Sequence, residues 1–398
     1  MDSGELPIGR RVAQWRARRR MTQQMLADRL GKSKSWVDKV ERGVRALDRF
    51  SVIQDLAEVL GVDTAALLGR DARPATSTGV EGVDGVWAAL ACYDLSPAGR
   101  GWRPVVPVGE LGRRVEHAWL AYQHACYPQL VRLVPDLLGD ARSAHAAAGD
   151  EVAGLLVRVY RVTASVLVKL GEPDVAWLAA DRAVTLAAGD PVWAAVAAVP
   201  LGQALRGAGR GRLAMAATVA AAHRIARVVG YDASQEDLSL CGMLWVEAAL
   251  AAASCGDAHS VAEWIGRAAE VAERVDGGQD RHRSGFGPAA VQVARVAAAV
   301  GLGDGGEAVA RHEEAVRMDG WRRLSVEHRA AHLVDAARAY LQVGDLLGAG
   351  RVLTEADRIA PAEVRLRPLA RMVIAEVARG GPVPAGVAHL ATAIGLTR

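Results

Sequence analysis

Glycine recurs in the second half of this chain at intervals suited to a stack of helix pairs. From about Glu151 an Ala-rich amphipathic stretch runs into a Gly-containing turn, Leu170-Gly171-Glu172-Pro173, and a second such stretch follows. The pattern returns at Arg206-Gly207-Ala208-Gly209, Cys255-Gly256-Asp257, Gly303-Asp304 and Gly344-Asp345. Measured from Gly171 to Gly207, Gly256, Gly303 and Gly344, the intervals are 36, 49, 47 and 41 residues. Each interval holds two ordinary helices and their connections, and each pair leaves an apolar face that only its neighbours can cover. Nowhere does the period-two alternation of strands replace the helical period. The spacing predicts an all-α body whose concave surface comes from the first helix of each pair.

At 398 residues the chain is too long for a single ordinary core. Its 23% charged and 51% apolar residues are those of a globular protein. No apolar run reaches the ~18 residues that span a bilayer. The first 20 residues carry Arg and Glu where a signal peptide needs an apolar stretch. The expectation is a cytoplasmic protein with no membrane contact. Cys92, Cys126, Cys241 and Cys255 lie far apart without a C-x-x-C, which argues against a disulfide framework and against a zinc knuckle.

Charge divides the chain. Residues 1–70 hold 14 Lys+Arg against 9 Asp+Glu, while the remainder holds 34 against 36. Three of the four lysines, Lys32, Lys34 and Lys39, fall within this head. A basic cluster in a small separate segment is the footprint of a polyanion binder, and a solvated helix face is the alternative. Pattern decides between them. Ile8, Val12 and Trp15 follow helical spacing on an Arg-rich stretch ending at Arg20. Thr22 caps a short helix carrying Met25, Leu26 and Leu30, which stops at Gly31. Ser33 caps a second, with Val37 and Val40 inward, ending at Gly43. A fourth helix (Phe50, Ile53, Leu56, Ala57, Leu60) and a short fifth (Thr64 to Leu68) complete a five-helix domain over 1–70. Residues 71–86, rich in Gly, Thr, Asp, Ser and Pro, read as a linker, and 87–398 as the helical body.

T-Q-x-x-L-A (Thr22, Gln23, Leu26, Ala27), G-x-S (Gly31, Ser33), Val37 and E-R-G (Glu41 to Gly43), then Leu56 to Val62, resemble the phage-repressor and Cro-like helix-turn-helix family. The resemblance implies a DNA-facing set of Thr22, Gln23, Ser33, Lys34, Ser35, Trp36, Lys39 and Arg49. Thr22 and Gln23 would meet phosphates. Lys34, Ser35 and Lys39 would face base edges in the major groove beside Trp36, and Arg49 with Phe50 would reach the backbone and minor groove. Arg16 and Glu41 match the family's internal ion pair, whereas Asp48 departs from the Pro common at its position. Elementary chemistry agrees, since lysine donates to guanine O6 and N7 and a helix N-terminus favours phosphate. The helix pairs of the body resemble tetratricopeptide repeats in a degenerate form, which implies an α-solenoid.

Other motifs weigh toward structure. Gly301-Leu-Gly-Asp-Gly-Gly306 fits G-x-G-x-x-G but lies between helical segments and not after a strand. His328 and His332 share a helix face without the Glu of H-E-x-x-H or an evident third ligand. Glu313-Glu314 belongs to an exposed face. No constellation predicts an enzyme, and neither cofactor nor metal is implied.

The combination resembles quorum-sensing regulators whose repeats bind a short peptide and reset the spacing of two DNA-binding heads. The expectation is a homodimeric transcriptional regulator, bound to double-stranded DNA at an inverted repeat, whose repeat domain takes a peptide or small-molecule effector. The alternative is a constitutive DNA-binding adaptor whose repeats recruit a protein. Peptide receptors of that kind clamp the backbone with Asn, and this chain has none. Arg158, Gln203, Arg206, Trp245, Gln292 and Arg295 are the candidate ligand contacts by helix position, with Gln342, Tyr160 and Tyr340 as further lining.

Overall fold

The computed structural model describes residues 8–19, 21–45, 47, 50–60, 82–92, 105–187, 189–228, 234–275, 282–380 and 385–396. The chain forms two compact units, Met1–Ser77 and Thr78–Arg398. Every regular element among the described residues is helical.

The first unit contains α1 (Ile8–Arg18), α2 (Gln23–Arg29), α3 (Lys34–Glu41) and α4 (Phe50–Leu60). The expected fifth helix at 64–68 lies outside the described residues. Thr22 and Ser33 cap α2 and α3 as their side chains accept the amide protons of Met25 and Trp36, both at 3.1 Å. Gly31 adopts φ +63° and closes α2, donating to Asp28, while Lys32 donates to Ala27 at 2.9 Å. The positive φ is what requires glycine there. Val12, Leu26, Val37, Ile53, Leu56 and Leu60 fill the core.

The second unit starts with α5 (Val83–Ala91), which takes in the last residues read as linker because Val86 and Leu90 are fully buried. Then follow α6 (Val108–Gln123), α7 (Tyr127–Ala148), α8 (Asp150–Lys169), α9 (Pro173–Leu186), α10 (Pro191–Gly207) and α11 (Gly211–Val228). Next come α12 (Gln235–Ser254), α13 (Ala258–Ala272), α14 (Pro288–Leu302), α15 (Gly305–Ala315) and a 3-10 turn at Asp319–Arg323. The chain continues through α16 (Val326–Gln342), α17 (Leu346–Ile359), α18 (Pro361–Arg365), α19 (Pro368–Arg379) and α20 (Ala385–Ala393).

One local device builds every repeat. Gly171, Gly209, Gly256, Gly303 and Gly344 all take positive φ, each ending the first helix of a pair. In three of the turns the next residue caps the following helix: Asp257, Asp304 and Asp345 accept from Ser260, Glu307 and Gly348. The Gly-Asp pairs are therefore a stop signal followed by a start signal. The second turn differs from the expected register. Gly207 is the last residue of α10, and Gly209 is the left-handed residue, so the first two intervals become 38 and 47 residues.

Each first helix packs on the next first helix, α6 to α8, α10, α12, α14 and α16 in turn, and α16 returns to touch α6. The inner layer is thus a closed ring. A buried polar seam fastens it. Glu363 of α18, with no exposed surface, accepts from Tyr127 at 2.5 Å, Lys169 at 3.0 Å and Arg367 at 2.7 Å. Lys169 also pairs with Glu327. Helix α12 has the length and hydropathy of a membrane span, but 83% of that window is buried inside the unit, as a core helix requires.

Candidate nucleic-acid interface and central cavity

Helix α3 turns Val37, Val40 and Glu41 inward and leaves Lys34, Ser35, Lys39 and Arg42 exposed. Arg16 of α1 fixes it from beneath, its Nε and Nη2 donating to the two Glu41 oxygens at 2.6 and 3.1 Å and its Nη1 to the Met21 carbonyl at 2.7 Å. The Cβ that an alanine would add at Gly9 falls 2.0 Å from the Val40 carbonyl oxygen, so α1 and α3 touch backbone to backbone. A rigid, basic helix face is the result, set at its N-terminus by the Ser33 cap.

The expected DNA-facing residues separate into groups. Thr22 and Ser33 are exposed caps with their hydroxyl oxygens already accepting amides. Gln23 donates to Glu41 Oε2 at 2.8 Å, which spends one of its amide protons within the fold. Trp36 packs partly against the core, with Arg45 over its ring at 6.0 Å, and so stands at the edge of the exposed face. Arg49, like Asp48, lies outside the described residues. Arg19 donates to the Leu60 carbonyl at 3.1 Å and thereby ties α4 to the end of α1.

Within the second unit the inner helices line a partly open cavity of about 530 Å³. Its apolar wall is made by Met243, Val246 and Leu250 of α12 with Val293, Ala294 and Ala297 of α14. Cations line much of the rest: Arg161 and Lys169 of α8, Arg206 of α10, and Arg283, Arg323 and Arg367. The acids among them are Glu247, Glu327 and Asp335. Burial works against the Glu327 carboxylate, yet Lys169 beside it holds its pKa below the usual value. Burial likewise holds His328 and His332 below the usual imidazole range, so both are neutral at neutral pH.

The segment 282–287 crosses this ring. The Arg161 guanidinium donates to the carbonyls of His282 and Arg283. Arg283 reaches α6, donating to Glu116 at 2.5 Å and Gln123 at 3.2 Å. Phe286 lies so close to Gly242 of α12 that a Cβ there would fall 2.1 Å from its ring.

Of the six residues expected to contact a ligand, Gln203 and Arg206 line the cavity, where both donate to Glu247, at 2.6 and 2.9 Å. The other four do not. Arg158 braces Glu116 from behind at 2.6 Å. Trp245 stacks on Trp264 at 5.2 Å with Arg267 over both rings, an inter-helix contact between α12 and α13. Gln292 donates to Glu314 and Arg295 to Gln292, at 3.1 and 3.2 Å. Gln342 donates to the Val300 carbonyl, and Tyr160 accepts from Arg142. Lys169 carried a signal in the sequence, being the sole lysine beyond the basic head.

Two short helices joined by a left-handed glycine and packed on a preceding helix define the first unit as a helix-turn-helix domain. Residues 7–68 match the family described as Helix-turn-helix domain. No protein of curated function is detectably similar in sequence. Among solved structures the chain is similar to BtubC (BKLC) from P. vanneervenii, at 18% identity and TM-score 0.39, covering 63% of this chain and 90% of that one. It is also similar to Bacillus thuringiensis PlcR, solved in complex with the peptide PapR7 and DNA, at 11% identity and TM-score 0.31, covering 69% and 96%.

Proposed function

We propose that the chain is a transcriptional regulator that binds a specific DNA duplex as a homodimer and takes up a small-molecule effector in the cavity of its helical body. The observation that carries the DNA half is α3, with Lys34, Ser35 and Lys39 exposed on a helix held rigid by Arg16 and Glu41. Lysines at such positions donate to guanine edges, and the capped N-termini of α2 and α3 favour phosphate. One small head makes too few phosphate contacts for tight binding at physiological salt, so two heads about one DNA turn apart, roughly 34 Å, suit an inverted repeat.

The closed inner ring favours a small molecule over a peptide or a recruited protein. An extended partner needs a groove open along its length, whereas the contact of α16 with α6 and the crossing segment 282–287 interrupt the inner face and leave a partly open space of about 530 Å³, within the range of small-ligand pockets. The absence of Asn points the same way. Selection of binding sites from random duplex DNA by the full-length protein tests the reading. Recovery of an inverted repeat is expected. Recovery of a single half-site would remove the dimer, and no enrichment at all would remove sequence-specific binding.

A further inference from the structure

The class of effector follows from the cavity wall, granted that the cavity is an effector site. Cations outnumber acids there, and the surplus survives internal accounting. Glu327 and Glu363 serve Lys169 and Arg367, and Glu247 serves Arg206. Asp335 pairs with Arg338, which lies behind the wall. Glu116 is shared between Arg158 and Arg283, so a single carboxylate answers two guanidinium groups. Arg323 lines the cavity while exposed to solvent, and makes no ion pair among the described residues.

Two buried hydrogen-bond donors point in the same direction. Trp119 Nε1 and Arg206 Nε belong to side chains of the wall and have no hydrogen-bond partner among the described residues. Both groups are donors only, so what would satisfy them is an acceptor. Both are also covered, so an acceptor reaching them displaces neighbouring wall side chains. Met243, Val246 and Leu250 with Val293, Ala294 and Ala297 supply apolar lining from the adjacent helices α12 and α14.

We propose that the cavity binds a small organic anion, a carboxylate or sulfonate, with its charged end on the basic wall and its apolar body against α12 and α14. A cation of the same shape is repelled by the surplus positive charge, and a neutral molecule gains nothing from it.

Three probes with one tail test the class on the full-length protein. Anilinonaphthalene sulfonate, an apolar anion that fluoresces on leaving water, reports occupancy, and decanoate, decanol and decylamine compete with it. Decanoate should displace the dye at a concentration at least about tenfold below decanol, with decylamine weaker again. Arg323→Gln should weaken decanoate about tenfold without changing decanol, and Arg323→Lys should restore it. Ala297→Trp, which fills the cavity from α14, should abolish dye binding with the circular dichroism unchanged. Decanol or decylamine equal to decanoate would overturn the anion class and leave the cavity as a ligand site. Dye binding absent from the wild type, or unaltered by a folded Ala297→Trp, would overturn the cavity itself as a site.

Discussion

Acid should loosen the helical body through one pair of histidines. His312 Nδ1 and His332 Nε2 lie 2.9 Å apart, both rings buried, with Trp321 and Tyr340 packed around them. The charged and titratable groups acting on the pair are Glu313 on α15, His328 on α16 and Arg351 on α17. Burial, aided by Arg351, lowers the pKa of His312 from 6.5 to about 4 against the opposing pull of Glu313. Burial and the neighbouring histidines push His332 well below its usual value. Between those two pH values the unfolded chain holds a proton at position 312 that the folded chain lacks. Stability is thus fully present above about 6.5 and drains away as pH falls toward 4. Moving from pH 7.5 to 5 should cost about 2 kcal/mol from His312 alone, at 1.36 kcal/mol per unit of differential protonation. His328 and His332 act in the same direction. Urea unfolding of the full chain, followed by circular dichroism at both pH values, measures the loss. The wild type should lose about 2 kcal/mol more than His312→Gln, and equal losses in the two proteins would refute the reasoning.

Further tests address the head and the seam. Lys34→Ala and Lys39→Ala should each lower discrimination between the selected site and random DNA by ~1–3 kcal/mol, measured by competition binding. An equal loss on both DNAs would take these lysines off the bases and put them on phosphate. Glu41→Ala leaves Arg16 half-buried and unpaired, and should destabilise the first unit by about 3 kcal/mol in chemical denaturation. Glu363→Gln removes the charge that Lys169 and Arg367 share, and should destabilise the second unit by about 3–5 kcal/mol. A loss below 1 kcal/mol in urea would show that the seam is held by packing and not by charge.

The local devices of this fold were legible because they act over four or five residues. Thr22 and Ser33 announced their caps, Gly31 its left-handed turn, and the Arg16–Glu41 pair followed from the resemblance of the head. The repeats were legible through their turn glycines, apart from the slip from Gly207 to Gly209, two small residues in one turn with only φ to separate them. Ring closure was not legible. Tyr127 and Glu363 are 236 residues apart, and periodicity says which face of a helix is apolar, never which distant helix covers it. Only two of the six residues expected to contact a ligand line the cavity, for a related reason. Helix α12 buries residues on every side, including Trp245 and Glu247, two positions apart, so its pattern marks no inward face. Trp245 turns to Trp264 and Glu247 to the cavity. Gln203 and Arg206, one helical turn apart on α10 and named from helix position, both line the cavity.

The seam has a consequence for how such a body can vary over time. An open solenoid can gain or lose a helix pair at either end or in the middle, because every unit needs only its neighbours. Here Glu363 must meet Tyr127 and Lys169 from the far end of the stack, and Pro368 must seat within 2.5 Å of where a Cβ on Gly171 would stand. Deleting or duplicating one pair would carry those groups past each other by a whole repeat and strand a buried carboxylate and two buried cations. Descendants of this chain are therefore free to drift in the composition of each pair but bound to keep their number, with length changes confined to the connections between helices.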